Sequence, residues 1–305
     1  MNGFVIKKGD LSIGIDVYAM VTDRILSAMD KGVIPWKKPW KGGDARFAIS
    51  HVTGKRYSLL NQLYLGLRPG EYLTFKQIQK EKGRVRKGEK SSIVVYWNFI
   101  KATQTDKETG EEIVKMIPML KYYNVFHVDQ CEGIKPRFTG SLETMSVAEL
   151  NAEADEIIED YVKRSGVTFE QKLSMEAYYN RVQDKVVVPE IGQFSETAEY
   201  YSTAFHELTH STGHKSRLDR LDENSRFGNE VYSKEELVAE LGASALVNFC
   251  GLETESSFRN NAAYIQGWSK ALQEDKKMIV WAAGKADKAV RLILGDRAED
   301  EKEGE

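Results

Sequence analysis

The chain is constrained most by one pentapeptide, His206-Glu207-Leu208-Thr209-His210. On a helix, residues four apart stand one above the other, so both histidines present their imidazoles to one point. Their neighbours Ala204, Phe205 and Leu208 are apolar, and burying two imidazoles and a carboxylate among them is costly unless something pairs with them. A divalent cation answers that cost. Neutral imidazoles are zinc ligands, and a glutamate one position on can reach a water at the ion without being a ligand. The helix is expected to start from a cap at Ser195 or Thr197, run through Tyr200, Tyr201 and Phe205 to near Thr212, and stop at Gly213.

This spacing is the zincin arrangement, and its surroundings agree. A short strand, Val186–Val188, precedes the helix and would serve as the edge that lines a cleft. A second helix, Lys234 to Cys250, follows with Glu235, Glu236 and Glu240. Glu236 and Glu240 lie one turn apart on one face, so one can bind metal while the other orients a histidine. We favour Glu240 as the third ligand beside His206 and His210, because Gly242 and Ala243 follow it and let two helices approach closely. His214 is the competing ligand. The metzincin pattern, however, puts its last histidine three positions after the glycine, where Ser216 stands, so His214 reads better as a nearby polar group. Zn2+ is the expected ion, with another divalent metal as the alternative. In a catalytic site Glu207 would be the general base, and His214, Tyr232 and Tyr264 are candidate donors to a developing oxyanion. In the alternative, the metal is structural and nothing turns over.

The 305 residues leave room for two ordinary domains, each with a core. A hydrophobic content of 41% and a charged content of 29% are globular values. No run of about 18 apolar residues is present, so no membrane association is expected. The first residues lack an apolar signal core with a small-residue cleavage site. Cys131 and Cys250 form no metal-spaced pair or disulfide framework, and a reducing cytoplasm is the expected compartment.

The charge is asymmetric. Residues 1–140 hold 24 Lys and Arg against 14 Asp and Glu, a net of +10, whereas the remainder holds 19 against 32, a net of −13. A basic half is a candidate partner for a polyanion. Within it, Trp36, Lys37, Lys38 and Trp40 interleave flat aromatics with positive charge, the mixture used by binders of single-stranded nucleic acid. Lys76, Lys80, Lys82, Arg84, Arg86, Lys87 and Lys90 follow, opposed only by Glu81 and Glu89. The bland reading is a pair of core tryptophans beside a solvated loop. A further alternative is that the basic half recognises acidic protein.

Hydrophobic periodicity predicts helices over 13–30, 61–67, 73–82 and 147–165, and one or two more over 260–294. Strand patterns cover 92–100 and 116–128, with a polar hairpin loop over 101–112. The fold class is therefore α+β. A mixed α/β DNA-binding domain (1–135) precedes a linker (136–145), a mainly helical domain with a small sheet (146–295) and an acidic tail (296–305).

The segments DVYAMVTDRILSAMDKGVIPWKKPW, GKRYSLLNQLYL, YLTFKQIQKEKGRVRKGEKSSIVVYW and YYNVFHVDQCEGI resemble the N-terminal domain of ArdC-type antirestriction proteins, which is shared with TraC-type plasmid primases. The segments KVVVPEIGQFSETAEYYSTAFHELTHSTGHKSRLDR and YSKEELVAELGASALVNFCGL are similar to that family's zincin-like metallopeptidase domain. The resemblance spans residues 13 to 294. It implies a protein of a plasmid, conjugative element or phage that binds single-stranded DNA and protects incoming DNA from restriction, with a protein of the host restriction system as the implied peptidase substrate. The metal motif carries over onto His206, Glu207 and His210, completed by Glu240 or Glu236. No primase active site is evident.

Overall fold

The computed structural model describes residues 16–37, 47–105, 112–138, 146–221, 233–252 and 262–295. Helix α1 (Val17–Met29) starts at Asp16, whose carboxylate accepts the Ala19 N–H, and it buries Val17, Val21, Ile25 and Met29, a side chain every fourth residue. After the turn Pro35–Lys37 come β1 (Ala48–Ser50), α2 (Leu59–Tyr64), β2 (Gly70–Thr74), α3 (Phe75–Lys80), β3 (Arg84–Val85), β4 (Ser92–Thr105), β5 (Glu112–His127) and β6 (Cys131–Glu132). The main sheet runs β1-β2-β5-β4, with β1 parallel to β2 and the other pairs antiparallel, while β3 and β6 form a separate pair.

The β4–β5 ladder continues from Ser92↔Val125 to Thr105↔Glu112, so residues 101–105 and 112 belong to strands and not to the expected loop. Polar residues occur in strands as well as in loops, which is why polarity misplaced the ends.

The second half opens with α4 (Val147–Ser165), started by a capping box between Ser146 and Glu149 and ended by Gly166 at φ +72. Strands β7 (Thr168–Lys172), β8 (Tyr178–Asn180) and β9 (Lys185–Pro189) form a sheet in the order β7-β9-β8. The Val186–Val188 strand is thus central, not an edge. Val186, Val187 and Val188 are all fully buried, the continuous apolar run of a strand covered on both faces. The helices α5 (Thr197–Ser211), α6 (Lys234–Phe249), α7 (Ala262–Glu274) and α8 (Met278–Leu294) complete the fold. The residue at the α5 cap is Glu196, which makes no capping bond. The hydroxyls expected to cap it are engaged elsewhere: Ser195 donates to Glu199, and Thr197 pairs with Asn151.

The two halves share one core. Val21, Ile25 and Leu63 from the first pack with Leu208, Leu241 and Ile293 from the second. Trp36 meets Trp268 edge to face at 6.0 Å, Phe47 lies 5.2 Å from Phe249, and Arg56 pairs with Asp287 at 2.9 Å. Among the described residues, no helix is long and apolar enough to cross a membrane.

Candidate metal centre

Helix α5 buries Ala204, Phe205, Leu208 and Thr209 completely, so it lies inside the second half and presents His206 and His210 towards α6. The two Nε2 atoms stand 3.2 Å apart. Glu236 reaches both, with Oε2 3.5 Å from His206 Nε2 and Oε1 3.6 Å from His210 Nε2. Nitrogen and oxygen ligands about 2.0–2.2 Å from a tetrahedral ion stand about 3.3–3.5 Å from one another. The two imidazoles meet that spacing nearly, and Glu236 faces each of them with a different oxygen, as a carboxylate that could bind one ion through either or both oxygens does. Among the described residues, His206, His210 and Glu236 are the group whose ligand atoms all converge within 4.8 Å.

The third donor in that group is Glu236 and not the favoured Glu240. Ser233 starts α6 by accepting the Glu236 N–H, which places Glu235 and Glu236 in the first turn, beside the imidazoles. Glu240, one turn on, acts on His206 through its charge. The expected close approach of the helices is present: a Cβ on Gly242 would stand 2.6 Å from Thr209 Cγ2. His214 instead bonds Ser216 through Nδ1 at 2.7 Å. Tyr232 lies outside the described residues.

Glu235, to which the sequence reading gave no role, contacts the other nitrogen of His210, with Oε1 3.2 Å from Nδ1. Arg220 holds Glu235 through Nε and Nη2, both at 2.8 Å, and also donates to Thr209 O on α5 and to Oγ1 of Thr212 at its end. No local sequence pattern around Arg220 names its partner, which lies 15 residues on. The Ser233-x-x-Glu236 spacing, a helix-start signature, was the available signal for Glu235 and Glu236.

Burial opposes charge on His206, yet hydrogen bonding to Glu236 and the charges of Glu207, Glu240 and Glu236 outweigh it and raise its pKa to about 9. Burial likewise opposes ionisation of Glu235 and Glu236, but Arg220 with His210, and His206 with His210, hold them below the usual carboxylate value. With Glu235 and Glu236 held ionised beside the two imidazoles, the site attracts positive charge. Glu207 is buried in the same turn as both histidines.

In the basic half, Lys76, Lys80, Lys82, Arg84, Arg86, Lys87 and Lys90 are all exposed, with Arg84 paired to Glu132. Trp36 departs from expectation. It is wholly buried, and its carbonyl accepts the Ser244 hydroxyl of α6, so its ring cannot stack on a base. Aromatic residues among lysines read alike in a core and on a surface, and here Trp268 decided the outcome. Lys38 and Trp40 lie outside the described residues. Lys37 closes the turn after Trp36.

A helix presenting two imidazoles and a glutamate, faced by an acidic helix start, defines a zincin-like domain. Residues 156–285 match the zincin-like metallopeptidase family, and residues 15–126 match the N-terminal domain of anti-restriction factor ArdC. The metal-free crystal structure of antirestriction protein ArdC from plasmid R388 superposes with a TM-score of 0.71 at 36% identity, over 94% of this chain and 100% of that one. Its Mn(II)-bound form gives 0.70 at 34% identity, with the same coverage. The chain belongs to the ArdC antirestriction family. It is also 31% identical to protein y4eC of Sinorhizobium fredii over 89% of each chain, and 34% identical to an Escherichia coli DNA primase TraC over 91% of its own length. It spans only 27% of that primase.

Proposed function

We propose that this chain binds single-stranded DNA through its basic half and carries a working metallopeptidase site formed by His206, His210 and Glu236, with Glu207 as general base. The observation that carries the reading is the convergence of one ligand atom each from His206, His210 and Glu236 within 4.8 Å of one another. Two imidazoles and a carboxylate suit Zn2+, and an N/O donor set also accepts Mn2+. The Mn(II)-bound structure of the ArdC relative supports a divalent ion as the occupant. When bound, such an ion supplies Lewis acidity, acidifying water and polarising a carbonyl. Glu207 takes the proton of the attacking water and returns it to the leaving amine. Glu235 and Arg220 keep His210 in one orientation and one tautomer, with Nε2 turned inward.

The exposed cluster from Lys76 to Lys90 and the +10 balance of residues 1–140 support the nucleic-acid half of the reading. Its setting is the cytoplasm, where incoming DNA meets restriction enzymes and one of their proteins would be the substrate. Metal titration of the wild-type chain and of His206→Ala tests the centre: one tightly held ion, lost in the variant, is the expected result. Equal metal content in both would refute it. For DNA, the combined Arg84→Ala, Arg86→Ala and Lys87→Ala change should weaken binding and flatten its salt dependence. An unchanged salt slope would exclude these residues.

A further inference from the structure

With Trp36 buried, the basic half needs another flat surface if unpaired bases are to stack on it, and the β4–β5 hairpin provides one. Val94, Tyr96, Lys121, Tyr123 and Val125 share one face of that hairpin, because Val94 pairs with Tyr123 and Tyr96 with Lys121, and alternate residues of a strand face the same way. Val94 and Val125 are buried against Ala48, Leu65 and Tyr72. One step along the strands that cover ends. There the Tyr96 and Tyr123 rings lie parallel, 5° apart in tilt and 4.6 Å between centroids, with Tyr123 51% exposed. The Tyr96 hydroxyl donates to that of Tyr123 at 2.9 Å, which holds the two rings stacked face to face and leaves their outer faces for another ring to lie on. The opposite face is committed to the core, with Val95 and Leu120 buried among residues of α1 and α2.

We infer that the Tyr96–Tyr123 pair is a stacking platform for the bases of a single nucleic-acid strand. The inference rests on the nucleic-acid reading proposed above and adds to it where the bases sit. Three observations favour this occupant over an acidic peptide. The outer face of a ring already fixed in a stack offers an acidic side chain nothing, whereas every base has a face to lay on it. Lys121, exposed and opposite Tyr96, supplies phosphate-seeking charge at the rim. The exposed basic turn ends at Lys90, and Ser92 begins the strand that carries Tyr96, so the platform lies about 13 Å along β4 from its start beside that turn, a span of a few nucleotides. Lysines and arginines would hold the backbone while the tyrosines hold bases.

The two contributions separate in one experiment: anisotropy of a labelled oligothymidylate titrated with the full chain at several salt concentrations. Tyr123→Leu and Tyr96→Leu should each weaken binding by about tenfold at every salt concentration and leave the salt slope as in wild type. Tyr123→Phe keeps the ring and should bind within about twofold of wild type. Melting curves accompany each variant, since a pair that only braces the hairpin would lower the melting temperature and leave affinity untouched. That outcome, or leucine variants that bind like wild type, overturns the platform alone. A wild-type chain that ignores the oligonucleotide, or an acidic polypeptide that competes it away without loss in the leucine variants, overturns the nucleic-acid reading and the platform together.

Discussion

Arg220 grips both oxygens of Glu235 at 2.8 Å, and Glu235 in turn stands 3.2 Å from His210 Nδ1. The guanidinium and carboxylate side chains are only 3% and 17% exposed, so this pair is held within the protein and is not a surface ion pair. Its geometry turns His210 Nε2 towards His206 and Glu236.

Removing that support should loosen the metal without removing a ligand. Glu235→Gln is expected to lower metal affinity by about 10- to 100-fold, measured by competition with a chelator. Arg220→Ala leaves Glu235 as a buried carboxylate missing its partner, so it should also destabilise the fold by about 3–5 kcal/mol. Unchanged affinity in Glu235→Gln would leave the pair a purely structural one.

Glu236 and Glu240 separate cleanly. Glu236→Ala should abolish tight metal binding, whereas Glu240→Ala should retain it within several-fold, because Glu240 acts on His206 by charge and Glu236 by contact. Chelator competition on both variants decides the third ligand. The reverse pattern would return the role to Glu240.

Gly242 sets the distance between α5 and α6. Gly242→Ala puts a methyl group 2.6 Å from Thr209 Cγ2 and 2.7 Å from its Oγ1, and overpacking of this kind costs about 1–3 kcal/mol. Pushing α6 away also draws Glu236 back from the imidazoles, so metal affinity should fall. Adding Thr209→Ala removes both contacts and should restore much of each property, a coupling that a double-mutant cycle reads directly.

The turn that leads into β9 supplies a pH prediction. Burial favours neutral Asp184, but hydrogen bonds from Arg217 and Tyr179 and the charges of Arg217 and His214 prevail and hold its pKa below the ordinary value. A group depressed on folding stabilises the protein above its unfolded pKa, about 3.9, and that contribution fades as pH falls through the folded value. Asp184→Asn, which keeps a residue tolerant of the local φ of +48, should cost about 1–3 kcal/mol at pH 7. In denaturant titrations the gap between wild type and variant should close as the pH is taken below about 3.9. A constant gap would show that the ion pair is not its source.

What was legible in the sequence was what depends on local spacing. Two histidines four apart need only a helix to converge, and α5, α6 and the Lys185–Pro189 strand all follow from their own residues. The choice between Glu236 and Glu240 depends on how α5 and α6 cross, which no window of sequence contains. Thr168–Lys172 and Tyr178–Asn180 become strands only because β9 lies between them. Trp36 shows the same limit: its ring is placed by Trp268, a residue far along the chain.

The central claim, that the metal centre works and does not merely hold the fold, meets its most direct test in Glu207→Gln. The substitution keeps the size of the side chain and touches none of the three donors. Metal content, melting temperature and protection of incoming DNA against restriction are measured on the same variant. The account predicts full metal content, a melting temperature near wild type and loss of protection. Full protection by a fully metallated Glu207→Gln chain would contradict it and make the ion a structural one.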